Sequence, residues 1–250
     1  SVLNQSYLNY EFIIIDGNST DGTTGIIQKY DSKLTFWCSE KDNGQTDALI
    51  KGFKRAKGQI FYWLCSDDIV LPGVFEEVAN CFKKNPNLDF VYGDTIYIYP
   101  DNSRNYKPRI KYHYKTMLWG FNIIAQPSCF FSKQIYIKSG GLNPKLNYAM
   151  DYDLFLRFGE KPKYLQIKKP MSLYRIHPTS KTVNDLKKFL REWQFIRTSI
   201  TGTPSGLRHK FLWIIYNIRV IYRFFLERGI IKFLPDKKKY SYQKFENLNS

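Results

Sequence analysis

Short apolar runs alternate with segments of helical periodicity along the first part of the chain. Residues 10–17, YEFIIIDG, form a continuous apolar run that ends in Asp-Gly, which is typical of a buried parallel strand entering a loop. Strands that alternate with helices at this spacing predict a parallel, doubly wound α/β sheet. The same pattern predicts further strands at 34–40, 59–68 and 88–94, and helices at 44–58 and 72–86.

The alternation ends after about residue 95, where later strands are predicted to make the mainly parallel sheet a mixed one. From about residue 183 the pattern is helical and basic to the end. We therefore predict two domains: 1–182 with the α/β sheet, and 183–250 as a basic, amphipathic helical extension. Within the first domain the pattern predicts strands at 95–100 and 127–132, a helix over 150–160 and a closing pair of strands over 164–177.

Two of the predicted strands end in carboxylates. Asp16 follows the first strand, and the adjacent pair Asp67 and Asp68 follows the third, in YWLCSDDIVLPG. Ligands of open α/β sheets bind beyond the carboxyl ends of the strands. A Mn²⁺ or Mg²⁺ ion bound to a phosphate would relieve the repulsion between adjacent carboxylates. A helix cap in a solvated turn explains the pair equally well at this point, because Pro72 favours a helix start nearby.

Composition and charge narrow the class of protein. With 43% hydrophobic and 17% aromatic residues, the 250 residues are enough for one full-sized domain with an appendage. The formal net charge of +16 is uneven, because residues 181–250 hold fifteen of the 38 Lys and Arg residues but only five of the 22 Asp and Glu residues. This excess favours a polyanionic partner or surface for the extension.

The four cysteines do not form a metal-binding or disulfide pattern. Cys38, Cys65, Cys81 and Cys129 lie far apart, without a CxxC pair, in apolar surroundings that are typical of reduced core thiols in a cytoplasmic protein. The chain also lacks an uninterrupted run of about 20 apolar residues that would cross a bilayer. We therefore expect a cytoplasmic protein without a zinc site.

Five blocks of the chain carry a family resemblance through their order. They are SVLNQSYLNYEFIIIDGNSTDGT, SEKDNGQTDALIKGFKRAKGQI, YWLCSDDIVLPG, MDYDLFLRFGEK and YRIHPTS. Together they resemble the family 2 glycosyltransferases with a GT-A, Rossmann-like fold, over residues 1–180. The resemblance implies an inverting enzyme that uses a nucleotide-diphosphate sugar and a Mn²⁺ or Mg²⁺ ion. Among the nucleotides, it favours UDP.

The resemblance assigns roles on the donor side residue by residue. It implies that Asp16 accepts a hydrogen bond from the nucleotide base, and that Asp47, in GQTDA, lies near the contacts between nucleotide and sugar. In SDD, Asp68 would bind the metal ion directly, whereas Asp67 would contact the ribose or the sugar. A simple helix-capping role for Asp47 stays open.

On the acceptor side, the resemblance implies that Asp151 is the general base that deprotonates the acceptor hydroxyl. For the donor, the resemblance further implies that Arg175 and His177, in YRIHPTS, approach the diphosphate and the metal ion from a mobile segment, with His177 as a metal ligand. Met150 stands where the family usually has Glu, so Asp153 is a rival to Asp151 as the base. The two carboxylates lie about 200° apart around a helix, so only one can face a pocket, and the helix start favours Asp151.

Two regions depart from the family pattern or lie beyond it. Family members begin with a β-strand that would precede Ser1 here, so the resemblance implies that this strand is missing from the chain. In 211–233 apolar and basic side chains fall on opposite helical faces, and 235–244 adds a basic patch. Such a helix can lie on an anionic membrane, pack on the catalytic domain or form a dimer interface, and these alternatives stay open.

We expect a hexosyl or related transferase that acts on a saccharide or lipid-linked acceptor in bacterial surface polysaccharide synthesis. Peripheral contact with the inner face of the cytoplasmic membrane would suit such an acceptor. One alternative is a sugar-phosphate nucleotidyltransferase, although the Gly-rich loop usual in that class is absent here. Another is a non-catalytic polyanion-binding protein. We do not expect a nucleic-acid partner, because the positive charge avoids the predicted pocket and no nucleic-acid motif is recognised.

Overall fold

The computed structural model describes residues 1–181 and 185–202, whose helices and strands build an α/β fold. In chain order they are β1 Ile13–Asp16, α1 Thr23–Lys29, β2 Phe36–Ser39, α2 Gln45–Arg55, β3 Ile60–Phe61, β4 Ile69–Val70, α3 Val74–Lys84, β5 Phe90–Ile98, β6 Arg104–Lys107, α4 Tyr114–Trp119, β7 Cys129–Ser132, α5 Lys133–Lys138, α6 Met150–Arg157, β8 Tyr164–Arg175 and α7 Leu186–Thr201. The predicted helices at 44–58, 72–86 and 150–160 correspond to α2, α3 and α6.

The chain turns sharply into α2 and α3 at glycines. Gly44 and Gly73 precede these helices with φ angles of +107° and +76°, a region that side-chain-bearing residues rarely adopt. Each helix then buries an apolar stripe, with Phe53 of α2 and Val78 of α3 in the core. Phe53 stacks on Phe61 of β3 with ring centroids 5.0 Å apart, which fixes α2 against the sheet.

The strands form two sheets. β1 and β2 pair in parallel as a two-stranded sheet, and the others form a six-stranded sheet in the order β3-β7-β5-β8-β4, with β6 paired to the second half of β5. The longest pairing, along all nine residues of β5, is the parallel one with β8, whereas the pairings of β3, β4, β6 and β7 are antiparallel. The predicted mixed α/β sheet flanked by helices is therefore confirmed.

The predicted strand over 59–68 is much shorter in the structure. Only β3 is regular there, because the ladder is interrupted: the carbonyl of Trp63 accepts a hydrogen bond from the Gln126 side chain (2.6 Å) instead of from a neighbouring strand. Further along, the Asp68 N–H donates to the Cys65 carbonyl and closes a turn. The chain therefore reaches the acidic pair through a loop.

The predicted strand at 95–100 and the closing strand pair were also wrong in detail. The first is a continuation of β5, and the second is the single strand β8. Residues 168–170 resemble a turn because Pro170 follows two lysines, but they form an irregularity in the pairing of β8 with β5, where Pro170 lies opposite Asp94. Proline cannot donate to a ladder and is tolerated at such a bulge.

This irregular region gives a stability prediction at Gly93. A Cβ added there would press on Met171, within 2.7 Å of its Cγ, and would lie 3.1 Å from the carbonyl oxygen of Ile167. Met171 is fully buried and has no room to move away. Gly93→Ala should therefore lower the free energy of unfolding by about 1–3 kcal/mol, measured by urea denaturation. Gly25→Ala in α1, with open space around the new methyl, is the control and should not destabilise.

Helix α7 packs on the sheet-bearing part of the chain. Trp193 stacks on Tyr152 of α6 with ring centroids 4.5 Å apart, and both belong to the same compact unit. The predicted boundary between 182 and 183 falls within 182–184, outside the described residues, and it stays a prediction. The predicted amphipathic segment 211–233 and basic patch 235–244 also lie outside them. Within 1–181 and 185–202, no helix has the length and apolar character needed to span a bilayer.

Candidate active site

A cleft with a volume of about 2350 Å³ lies between the two sheets, lined by residues of β1 on one side and of β3 on the other. Four of the predicted site residues line it: Asp67, Asp68, Asp151 and His177. The three others lie outside its lining: Asp16, Asp47 and Arg175. The structure thus brings the acidic pair Asp67 and Asp68 to the same cleft as Asp151, the predicted base, which is more than eighty residues away in sequence.

Asp68 is buried at the wall of this cleft with one oxygen unused. Its Oδ1 accepts the backbone N–H of Arg175 (3.1 Å), whereas its Oδ2 is buried without a hydrogen-bond partner among the described residues. Burial raises the pKa of Asp68 to about 7, and the Asp67 carboxylate adds to this, although the Arg175 N–H and the nearby cations oppose it. A buried, unpartnered carboxylate oxygen is what a hard divalent cation would need.

Asp67 is tied to the segment that follows β8. Its Oδ2 lies 2.9 Å from Nε2 of His177, and its backbone carbonyl accepts a hydrogen bond from Nε of Arg175 (3.2 Å). The other ring nitrogen of His177 lies 2.8 Å from Oγ1 of Thr179. Both predicted partners from YRIHPTS are therefore in contact with the acidic pair, and a metal ion held by His177 would compete with Asp67 for Nε2.

Cys65 joins the acidic pair, which the sequence analysis missed by treating this cysteine as a core thiol. One ligand atom each from Cys65, Asp67 and Asp68 lies within 4.8 Å of the others. Burial raises the pKa of Cys65 to about 12, and the two carboxylates raise it further, so the sulfur is a thiol at neutral pH. It accepts a hydrogen bond from Nε2 of Gln45 (3.2 Å). The residues present fit an oxygen-seeking cation such as Mg²⁺ or Mn²⁺, with a neutral thiol beside it.

Asp151 and Asp153 have different environments. Oδ2 of Asp151 accepts a hydrogen bond from Nδ2 of Asn122 (3.1 Å), and burial raises the pKa of Asp151 to about 6. Asp153 is buried on the other side of α6, where Oδ2 accepts hydrogen bonds from Nε (3.0 Å) and a terminal nitrogen (2.5 Å) of Arg157. Of these two carboxylates, Asp151 lines the cleft and Asp153 does not, and the role of Asp151 as the base stays a prediction.

Asp16 and Asp47 are held by local hydrogen bonds. Asp16 accepts from the N–H and hydroxyl of Ser19 and from the hydroxyl of Ser39, and these bonds outweigh burial and lower its pKa. Asp47 accepts the N–H of Asn43 (3.1 Å) at the start of α2. Asp16 thus fixes the loop after β1, Asp47 stabilises a helix start, and their roles towards a nucleotide stay predictions.

Another missed residue is Glu192 of α7. Its carboxylate accepts the backbone N–H groups of Asn147 (2.8 Å), Tyr148 (2.9 Å) and Ala149 (2.8 Å), immediately before α6. The helical pattern of α7 was visible in the sequence, but nothing in it indicated which loop this acid would reach. The helix that carries Asp151 is therefore anchored by α7, which was predicted to belong to the extension.

Known proteins that are similar to this chain identify its family. The family model described as "Glycosyl transferase family 2" matches residues 1–142 of this chain. The chain belongs to glycosyl transferase family 2. It is accordingly a transferase enzyme, and the predicted GT-A family 2 resemblance is confirmed.

Bacterial glycosyltransferases are among the relatives of this chain. An uncharacterized glycosyltransferase of Rickettsia typhi is 26% identical over 249 residues, covering 93% of this chain and 76% of the relative. The chondroitin synthase of Pasteurella multocida is 28% identical over 193 residues, covering 74% of this chain but 20% of that longer protein. The activity of the whole synthase therefore does not transfer directly to this chain.

Solved structures agree on the fold. TarS of S. aureus, determined in complex with UDP, superposes with a TM-score of 0.61 at 15% identity, and the match covers 84% of this chain and 62% of that one. The complex of TarS with UDP-GlcNAc gives the same TM-score at 14% identity. At 14–15% sequence identity, this likeness shows that the chain has the same fold as TarS.

Proposed function

We propose that this family 2 enzyme is an inverting, metal-dependent glycosyltransferase that moves a sugar from a UDP-sugar to a hydroxyl of a saccharide or lipid-linked acceptor. The observation that carries the proposal is the shared cleft, whose lining includes Asp67, Asp68 and Asp151. One carboxylate pair suits the leaving diphosphate and its cation, and a separate carboxylate suits the acceptor hydroxyl.

The donor side depends on the unpartnered oxygen of Asp68. Asp68, with Asp67 and His177 beside it, would hold a Mn²⁺ or Mg²⁺ ion. Such an ion supplies charge stabilisation for the departing nucleoside diphosphate. His177 and Arg175 add positive or hydrogen-bonding groups next to the same carboxylates, so the phosphates meet protein donors as well as acids. The binding of UDP and UDP-GlcNAc by TarS supports UDP as the nucleotide.

The acceptor side depends on Asp151. In a single displacement the acceptor oxygen bonds to the anomeric carbon as the bond to the diphosphate oxygen breaks, and the hydroxyl proton passes to the Asp151 carboxylate. A raised pKa of about 6 keeps this carboxylate ionised at neutral pH while making it a better proton acceptor than a fully solvated one. Asn122 holds its Oδ2 and orients the group.

The wider setting is proposed from the relatives. The similarity to a chondroitin synthase of Pasteurella multocida supports a role in bacterial surface polysaccharide synthesis. Peripheral attachment to the inner face of an anionic membrane through the basic extension is part of the same proposal, because it would bring the cleft to a lipid-linked acceptor. Family membership favours the transferase over the nucleotidyltransferase and polyanion-binding alternatives.

A thermal-shift panel tests the donor and the metal together. The melting temperature would be measured with UDP, GDP, dTDP and CDP, each with and without Mn²⁺. We expect one nucleotide, UDP, to raise it by several degrees only when Mn²⁺ is present, because ligands that bind the folded state alone stabilise it. Asp68→Asn should remove this shift while the protein stays folded.

The matched control is Asp89→Asn, which removes an acid from the loop before β5 that does not line the cleft and instead accepts the Lys163 N–H. It should leave the nucleotide shift unchanged. A panel in which no nucleotide gives a metal-dependent shift would return Asp67 and Asp68 to the role of a turn and would contradict the proposed function.

A further inference from the structure

Glu192 holds the chain immediately before the N-terminus of α6. The N-cap residue of α6 is Ala149, which has no side chain able to accept a hydrogen bond. Its N–H and those of the two preceding residues are instead satisfied by Glu192, across 43 to 45 residues of sequence. A carboxylate at this end of a helix also interacts favourably with the helix dipole.

The chain around Glu192 holds it in place. One residue later Trp193 stacks on Tyr152, and one turn later Nε of Arg197 donates to the Tyr152 hydroxyl (3.2 Å). Arg197 also donates to the carbonyl of Gly120 (3.3 Å), which lies two residues before Asn122. α7 is thus anchored to α6 and to the loop that carries the hydrogen-bond partner of Asp151.

The charge of Glu192 reaches Asp151. Asp151 lies two residues after Ala149, and the titratable groups facing it are Glu192 from α7, Cys65 from the loop after β3 and Cys129 from β7. Both cysteines are strongly shifted towards the neutral thiol by burial, so Glu192 is the charged member of the set. Its negative charge contributes to the raised pKa of Asp151.

We propose that Glu192 is the positioning residue of the proposed catalytic base: it fixes the loop 147–149, which leads into α6 and so places Asp151 at the cleft. This inference rests on the proposed role of Asp151. It assigns α7, which lies outside the part of the chain matched by the family model, to the catalytic machinery.

The test uses the whole chain and two readouts that do not require turnover. Amide hydrogen exchange would be followed at 147–149, and the titration of Asp151 by ¹³C NMR of labelled aspartate carboxyls, with Asp151→Asn identifying the signal. In Glu192→Gln we expect about tenfold faster exchange of these amides, because they lose their charged acceptor. We also expect a lower pKa for Asp151, because a nearby negative charge is gone.

Asp185→Asn is the control. It removes an equal charge at the start of α7, where the carboxylate accepts the Tyr148 hydroxyl but no backbone N–H of the loop. It should leave both readouts near their wild-type values. Glu192→Asp keeps the charge but is too short to reach all three N–H groups, so it should speed exchange while keeping the raised pKa of Asp151. This second variant also covers the case in which Glu192→Gln does not fold.

Unchanged exchange at 147–149, or an Asp151 pKa that does not fall in Glu192→Gln, would overturn the inference. Where sugar transfer is measured, kcat of this variant should fall about 10–100-fold with little change in the KM for the donor, as expected for a displaced base. A rise in KM at constant kcat would also overturn it. The nucleotide panel distinguishes the two proposals. If no nucleotide raises the melting temperature in the presence of Mn²⁺, the proposed transferase function is contradicted. Amide exchange at 147–149 and the pKa of Asp151 still test the role of Glu192 in that case.

Discussion

Replacing Asp151 by asparagine is expected to lower sugar transfer by about 10²–10⁴-fold, the usual contribution of a general base. Asparagine preserves the shape of the side chain and can still contact Asn122, but it cannot accept the proton of the acceptor hydroxyl. The UDP-dependent thermal shift should persist, because the proposed metal ligands Asp68 and His177 are unchanged. Activity would be measured as release of UDP from the donor in the presence of acceptor.

The pH dependence of the same reaction gives an independent check. Because the base must be ionised and its pKa is raised to about 6, kcat/KM should fall as the pH drops through about 6. Asp153→Asn serves as the control for the substitution, since Asp153 faces Arg157 and not the cleft and asparagine keeps an oxygen to accept from Arg157; its melting temperature would be measured alongside, so that activity is compared between folded proteins. If Asp153→Asn abolished transfer and Asp151→Asn did not, the two roles would have to be exchanged.

Truncating Arg157 is expected to cause the largest loss of stability. Arg157 pairs with buried Asp153 and also donates to the carbonyls of Ser139 and Gly141, so Arg157→Ala leaves a buried carboxylate and two carbonyls without partners. Removing one member of a buried ion pair typically costs about 3–5 kcal/mol. The free energy of unfolding would be measured by urea denaturation at neutral pH.

Two comparisons show whether the buried charge is the cause. In Arg157→Ala combined with Asp153→Asn, part of the lost stability should return, because no charge is left unpaired. Lys51→Ala removes a cation from an ion pair with Glu40 at the surface and should have no measurable effect on stability. Equal losses at the buried and exposed pairs would contradict this explanation.

Part of the site was accessible from the sequence because its signals are local. An apolar run followed by adjacent carboxylates marks Asp67 and Asp68, and the ordered blocks of the family point to Asp151 and His177; the structure brings all four to one cleft. The fold class could be predicted because short apolar runs alternate with segments of helical periodicity. These features depend on residues that are adjacent in sequence, so local sequence patterns predict them.

Other features depend on contacts distant in sequence. Glu192 reaches a loop 43 to 45 residues away, and helical periodicity indicates that α7 is a helix but not where its acid points. Cys65 belongs to an apolar run and was read as core, although the chain turns there and brings the thiol to the carboxylates. The predicted pair of strands over 164–177 is one strand, β8, because an irregularity in its pairing with β5 accommodates Pro170.

The loop before α6 also touches the start of α2. Oγ1 of Thr46 donates to the carbonyl of Leu146 (2.5 Å), and Lys181 bridges the side chain of Gln45 and the carbonyl of Asn147. The start of α2, where Gln45 contacts the thiol of Cys65, is thus connected by hydrogen bonds to the loop that precedes Asp151. A shift of α2 on donor binding would therefore move the loop before Asp151, and we expect donor and acceptor each to raise the affinity for the other by the same factor.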